Sequence, residues 1–285
     1  MSNFIHFLIT RFNLKNPNWD VTKNNEALLT STWMEERLWF FENFCFPSVT
    51  QQSNKNFKWL LFFDETTSEE DRIKIDRICG KHPQIELFYI AGMPAFHSEI
   101  TRIVAEKSKG FSHVITSRID NDDAIHKDFI NTIQQQFKGQ DYRVIDVISG
   151  YSLQIKPTVM LGKKEHIFNP FVSLIEKNDN PTTIWHNDHH IWKKETRIDR
   201  IEGNRLWIAI IHEKNKVNNF NGYGLVNWRD IQANFNLPEP INEMIVNEMQ
   251  AFSSWWRLNL YNAIVVNYKV LSKKFKKMLG IYKVK

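Results

Sequence analysis

Cysteine is nearly absent from this 285-residue chain, which has only Cys45 and Cys79. Neither has metal-ligand spacing, and both fall in apolar helical patterns. That argues against a disulfide scaffold and predicts buried free thiols in a reducing compartment. Proline and glycine are sparse, at nine and ten residues, so the chain does not read as a low-complexity or disordered polymer. No internal repeat or linker interrupts it. No run approaches the ~18 apolar residues of a membrane span. The opening MSNFIHFLITRFN lacks a basic leader and is expected to form a first strand rather than a signal peptide.

Surplus positive charge is also missing from most of the chain. The net charge is +5, but residues 269–285 carry seven lysines and no acid, so the remainder is at −2. A near-neutral body with a cationic tail is not the footprint of a nucleic-acid binder, and no nucleic-acid partner is expected.

What is present is a globular composition, 42% hydrophobic and 24% charged, with 21 Phe and ten Trp. FIHFLITRF (4–12), FKWLLFFDE (57–65), IELFYI (85–90) and SHVITSRIDNDD (112–123), the last with an acidic end, read as buried strands. Between them, helices are predicted over 33–49, stopping near Pro47; over 68–82, with Ser68 as cap and Gly80 as stop; and over 98–110, with Ser98 as cap. Alternating strands and helices predict an α/β domain with a mainly parallel sheet. Further on, DAIHKDFINTIQQQF reads as a helix, residues 142–155 and 156–166 as antiparallel strands, and 205–219 as a strand emerging at His212. The chain is helical from Pro240. The expected division is a domain over 1–240 and a helical extension over 241–285.

Ligands bind such sheets at the carboxyl ends of the strands. Arg11, Asp64 and the cluster Asp120, Asn121, Asp122 and Asp123 all follow strand ends and are expected on one rim. Three carboxylates directly after a buried strand repel one another unless something positive joins them. Asp-x-Asp at a strand end suits Mn²⁺ or Mg²⁺, which is held by one or two carboxylates plus substrate phosphates. Asp120 and Asp122 are the candidate ligands, with Asp123 in support or accepting a substrate hydroxyl. An EF-hand loop fails, since Ile125 and Asn131 stand where it needs Gly and Glu. A helix N-cap explains one or two of the acids but not all three.

HFLITRFN (6–13), RLWFFENFCFPSVTQQ (37–52), FKWLLFFDETT (57–67), SRIDNDDAI (117–125) and WIAIIHEKN (207–215), in this order, resemble the putative rhamnosyltransferase family, over roughly residues 4–220. The resemblance implies a GT-A-like (Rossmann-like) mixed, mainly parallel sheet with helices on both faces. It also implies a nucleotide-sugar donor. Thr10 and Arg11 would face the nucleotide, and Asp64 would accept from base or ribose. Asp120 would contact ribose or metal, Asp122 would be the main metal ligand, and His212 would complete metal or diphosphate binding. Arg118 would pair with the acids or the diphosphate. The implied reaction moves a sugar, with rhamnose from dTDP-rhamnose as the leading guess, to a glycan or glycolipid acceptor in surface polysaccharide synthesis. A phosphoryl transferase sharing these acids, or a binding module without turnover, is the alternative.

An inverting transfer needs a base for the acceptor hydroxyl. Asp188, in WHNDHHIW, is the candidate, with His186 or His189 as runner-up. Trp185 and Trp192 would stack on a sugar or close the core. In the tail, Leu271, Phe275, Met278, Leu279 and Tyr282 recur at helical spacing, with Lys273, Lys274, Lys276 and Lys277 mostly on the flank and opposite face. That pattern suits an anionic membrane surface as well as a docked terminal helix. A cytoplasmic protein, peripheral on the inner face of the membrane, is the corresponding expectation.

Overall fold

The computed structural model describes residues 3–17, 31–80, 82–188, 191–213 and 219–282. Its first half runs β1 (Phe4–Arg11), α1 (Ser31–Phe40), α2 (Phe46–Thr50), β2 (Lys58–Asp64), α3 (Glu69–Cys79), β3 (Ile85–Ile90), α4 (Gly92–Lys107), β4 (His113–Arg118), β5 (Ala124–Ile125) and α5 (Phe129–Gln134). Then come β6 (Tyr142–Val147), β7 (Ser149–Gln154), β8 (Met160–Glu165), β9 (Val172–Lys177), β10 (Ile198–Ile201), β11 (Trp207–Ile211), α6 (Trp228–Ile231), α7 (Glu239–Glu248) and α8 (Phe252–Met278).

Seven strands form the main sheet in the order β10-β6-β9-β4-β1-β2-β3, and β9 alone runs against the others. β1 shows why the sheet is central. Its Phe4 and Leu8 pack with α1 to α3 on one face, and its Phe7 and Ile9 with α4 on the other. A strand covered on both faces reads as continuous hydrophobic sequence, as β1 and β2 do. A second sheet, β5-β11-β7-β8, lies beside the first. Trp207 joins the two: its indole N–H donates to Val147 O at 2.7 Å, and its ring stacks on Phe171 at 4.7 Å. Gly150 makes room for that ring, since a Cβ there would lie 2.1 Å from it.

The helical run after β1 ends at Thr50, one residue past the expected 49, though by another route than a stop at Pro47: a π-type turn, Phe41–Cys45, leads into α2, and Pro47 sits in that helix's first turn, where no N–H is required of it. Three expectations are corrected. α4 begins at Gly92, not Ser98. Gly92 has φ +66° and passes so close to Lys15 O that a Cβ would meet it at 2.7 Å, while the Ser98 hydroxyl bonds back to Ala95 O inside the helix. Ala124 and Ile125 are not helical but pair with β11. Residues 142–155 are two strands, one in each sheet, of which β7 pairs antiparallel with β8 as expected.

α7 places Ile241 and Ile245 among the apolar side chains of the second sheet. α8 docks along the body. Asn262 donates to Gly222 O at 2.9 Å, Lys273 to Ile167 O at 2.8 Å, and Lys277 to Glu195 O, while Lys274 pairs with Glu202 at 2.8 Å. These three lysines are therefore spent on the protein rather than presented outward, and Tyr282 packs edge-on to Phe168. Among the described residues, no helix is long and apolar enough to cross a membrane.

Candidate functional site at the carboxyl ends of the strands

The acidic cluster spans the gap between the two sheets. β4 ends at Arg118, residues 119–123 turn, and β5 enters the second sheet. That path sends the three carboxylates to three different partners. Asp123 points inward. β5 is too short to pair with β11 beyond Ile208, and the Asp123 carboxylate accepts the Ile210 N–H at 2.9 Å instead. Burial, followed by the charges of Asp122 and Asp120, pushes its pKa well above the usual carboxylate range. Lys164 of β8 faces it, with its own pKa pulled down by burial to about 8 against the pull of Asp123.

Asp122 is also buried, but it is paired. Arg37 of α1 donates to its Oδ2 at 2.5 Å, and His212 Nε2 lies 3.1 Å from the same oxygen. Burial alone would raise its pKa; Arg37 and His212 more than offset that and hold it below the usual range. The same Arg37 nitrogen reaches Asn121 Oδ1 at 3.2 Å, and the His212 ring stacks on Phe40 at 4.2 Å. α1 thus supplies both the guanidinium and the aromatic platform for this pair.

Asp120 is the one half-exposed carboxylate of the three, with Arg118 Nη2 3.7 Å away. Arg118 is 2% exposed, and its Nε and Nη1 have no hydrogen-bond partner. Burial pulls its pKa down to about 10 despite Asp120. The guanidinium carbon sits 3.8 Å from the centre of the Trp185 ring, and that of Arg11 lies 5.1 Å from the same ring. Two cations share one indole, worth about 0.5–2 kcal/mol each. Trp185 and Trp192 are both buried, so each closes the core, and Trp185 also serves as an arginine platform.

Asp188 is exposed, and its charge reaches Arg118. His97 of α4 belongs to the same neighbourhood. Burial holds its pKa below the usual value, and the charges of Asp188, His186 and Arg11 all act on it. His189 lies outside the described residues.

Two predicted nucleotide contacts are turned elsewhere. The Thr10 hydroxyl is fully buried and accepts the Trp59 indole N–H at 3.0 Å, so its side chain faces the core. Asp64 closes a turn: it accepts the Lys15 N–H at 2.9 Å and the Thr66 N–H at 3.0 Å, and takes the Thr66 hydroxyl at 2.6 Å. Burial would raise its pKa, but these bonds hold it below the usual value. Arg37, His97 and Lys164 were not singled out from sequence. Only folding brings Arg37 to Asp122, 85 positions away.

The set Asp120, Asp122, Asp123 and His212 does not close into a single cage. Among the described residues, no group of three or more His, Cys, Asp or Glu side chains is placed to hold an ion. Asp123 leaves the set because Ile210 takes its carboxylate. Asp122 and His212 do fit, since their donor atoms stand 3.1 Å apart, a separation suited to two ligands at ~2.1 Å from one ion. An ion there would have to displace Arg37.

A family model described as "Putative rhamnosyl transferase" matches residues 6–222. No curated protein matches the chain. Among solved structures, TarS 1–349 of S. aureus is similar at 11% identity and a TM-score of 0.42, over 86% of this chain and 70% of that one. A putative nucleotide-diphospho-sugar transferase from Desulfovibrio desulfuricans G20 is similar at 9% identity and a TM-score of 0.35, over 76% of this chain and 83% of that one.

Proposed function

The chain belongs to this rhamnosyl transferase family and is a glycosyltransferase, and on that premise we propose that the Arg11–Trp185–Arg118 rim receives the diphosphate of a nucleotide-sugar donor. The observation that carries the reading is Arg118. A buried guanidinium with two unpaired nitrogens is costly, and it makes sense where two oxygens of a doubly charged acceptor complete its planar fork. Arg11 on the same indole adds the second positive charge that a diphosphate requires.

In this reading the donor is dTDP-rhamnose and the acceptor is a glycan or glycolipid hydroxyl. Asp188 takes the hydroxyl proton as the oxygen attacks the anomeric carbon. The bond from that carbon to the diphosphate oxygen breaks, and the nucleoside diphosphate leaves with the electron pair. Arg118 and Arg11 stabilise the negative charge it carries away, and Asp120 keeps Arg118 in place. Asp122 and His212 would hold Mn²⁺ or Mg²⁺, with donor phosphates supplying the remaining ligands. Such an ion adds charge neutralisation at the leaving group.

The test is a thermal-shift panel of dTDP, UDP and GDP with and without Mn²⁺, followed by turnover with dTDP-rhamnose. A nucleotide at a hundred times its Kd stabilises the protein by ~2.7 kcal/mol. The matching nucleotide is expected to do so, and Asp188→Asn to keep that shift while losing about 10²–10⁴-fold in kcat. No shift with any nucleoside diphosphate would overturn the donor assignment.

A further inference from the structure

α8 has two faces. One is tied to the body by Asn262, Val266, Val270, Lys273 and Lys277. On the other, Leu260, Ile264, Tyr268, Leu271, Phe275 and Met278 are between 54% and 74% exposed. Their spacing is four, four, three, four and three. At 100° per residue these six fall within an arc of about 80°, pointing away from the docked face. Scattered exposed apolar residues are ordinary, but six large ones on one line of one helix are not.

We propose that this outer face of α8 lies on an anionic phospholipid bilayer, with the helix axis in the membrane plane and the body clamped to its opposite side. Three observations favour lipid over a second copy of the chain. No acidic residue follows Glu248, whereas Arg257, Lys269 and Lys276 are exposed on α8. At 100° per residue Arg257 falls within the apolar arc, where a self-paired seam would bury it with no carboxylate of α8 to pair it, while Lys269 and Lys276 lie on the flank; lipid phosphates would pair all three. Trp256, Tyr261 and Tyr268 on or beside the face are residue types that settle at headgroup level. No described helix crosses a membrane, so the helix lies on the surface rather than through it. The residues differ from those expected of the tail alone: the contact runs from Trp256 to Met278, and Lys273, Lys274 and Lys277 hold the body. The inference is independent of the donor assignment.

The experiment is vesicle co-sedimentation of the full chain. It uses phosphatidylglycerol–phosphatidylcholine vesicles and pure phosphatidylcholine vesicles at up to 1 mM lipid, with size-exclusion light scattering in parallel. The variant is the triple change Ile264→Ser, Leu271→Ser and Phe275→Ser. These side chains are exposed, so its melting temperature should stay at the wild-type value. The expected result is binding to the anionic vesicles, at least tenfold weaker to the neutral ones and at least tenfold weaker for the triple variant. Lys269→Gln with Lys276→Gln should reduce the preference for anionic lipid. No binding to anionic vesicles, or unchanged binding by the triple variant, overturns the proposal. So does a wild-type dimer that the triple variant converts to monomer, since the face would then belong to a second copy.

Discussion

Replacing Arg118 by methionine should make the protein more stable and less able to bind its donor. The stability side follows from burial. The guanidinium is 2% exposed, and its pKa is pulled from 12.5 to about 10. At 1.36 kcal/mol per pKa unit this is a cost of about 3 kcal/mol for keeping the charge in the folded state. The cost applies throughout the working pH range, because both values lie above it. Methionine fills similar space without charge, but gives up the contact with Trp185, worth about 1–2 kcal/mol. The net gain is about 1–2 kcal/mol, or roughly 2–6 °C in Tm for a chain of this size. The binding side follows from hydrogen bonding. The proposed donor site gives Arg118 two charge-assisted bonds to a phosphate, at about 1.5–3 kcal/mol each, so on that proposal dTDP affinity should fall at least tenfold. Arg118→Lys keeps the charge but not the planar fork, and should recover little of the binding. Differential scanning fluorimetry and titration calorimetry read the two sides separately. An Arg118→Met protein that melts lower than wild type yet binds dTDP with unchanged affinity would refute the reasoning.

Three other outcomes test the structure. Arg37→Met strips a buried carboxylate of its nearest cation and should cost about 3–5 kcal/mol by denaturant titration. If Mn²⁺ takes the same place, it should raise the Tm of that variant more than that of wild type. His6 is buried, and burial pulls its pKa from 6.5 to about 3. The unfolded chain therefore binds the extra proton first, and stability falls as pH drops from about 6.5 towards 3. At pH 5 this amounts to about 2 kcal/mol, and unfolding measured for His6→Phe should show a shallower acid limb. Cys45 and Cys79 are buried, and burial raises both thiols, Cys79 to about 12. Neither should react with a thiol reagent until denaturant is added; rapid labelling of the native protein would contradict the packing.

The strands that build the rim were legible because a strand buried on both faces is written as an unbroken apolar run. β1 to β3 were each placed within two residues of their ends, and β4 at its start, though it stops at Arg118, before the acidic run expected at its end. α3 was legible for a different reason: Ser68 caps it by accepting the Asp71 N–H, and Gly80 stops it at φ +54°. The errors fall where long-range contacts decide. Gly92 starts α4 because its backbone abuts Lys15 O, a contact 77 positions away that no local pattern encodes. Ala124 and Ile125 became a strand because β11 was there to pair with them. β9 and β10 drew no prediction, yet β9 is the antiparallel strand that links β4 to β6.

The acidic run poses the same problem at the scale of single side chains. The composition of residues 120–123 says only that something must offset three carboxylates, and the cheapest guess is one shared cation. The fold instead distributes them. Asp123 faces Ile210 and Lys164, Asp122 faces Arg37 and His212, and Asp120 faces Arg118. In this arrangement the inner two acids have their opposing groups within the protein. Asp120 stands half-exposed beside Arg118, a cation whose hydrogen bonds are incomplete. In the donor site we propose, recognition would turn on the arginines at least as much as on the acids. Of the residues at the end of β4, Arg118 is therefore the one whose loss should separate binding from folding, whereas Asp122 is tied to both.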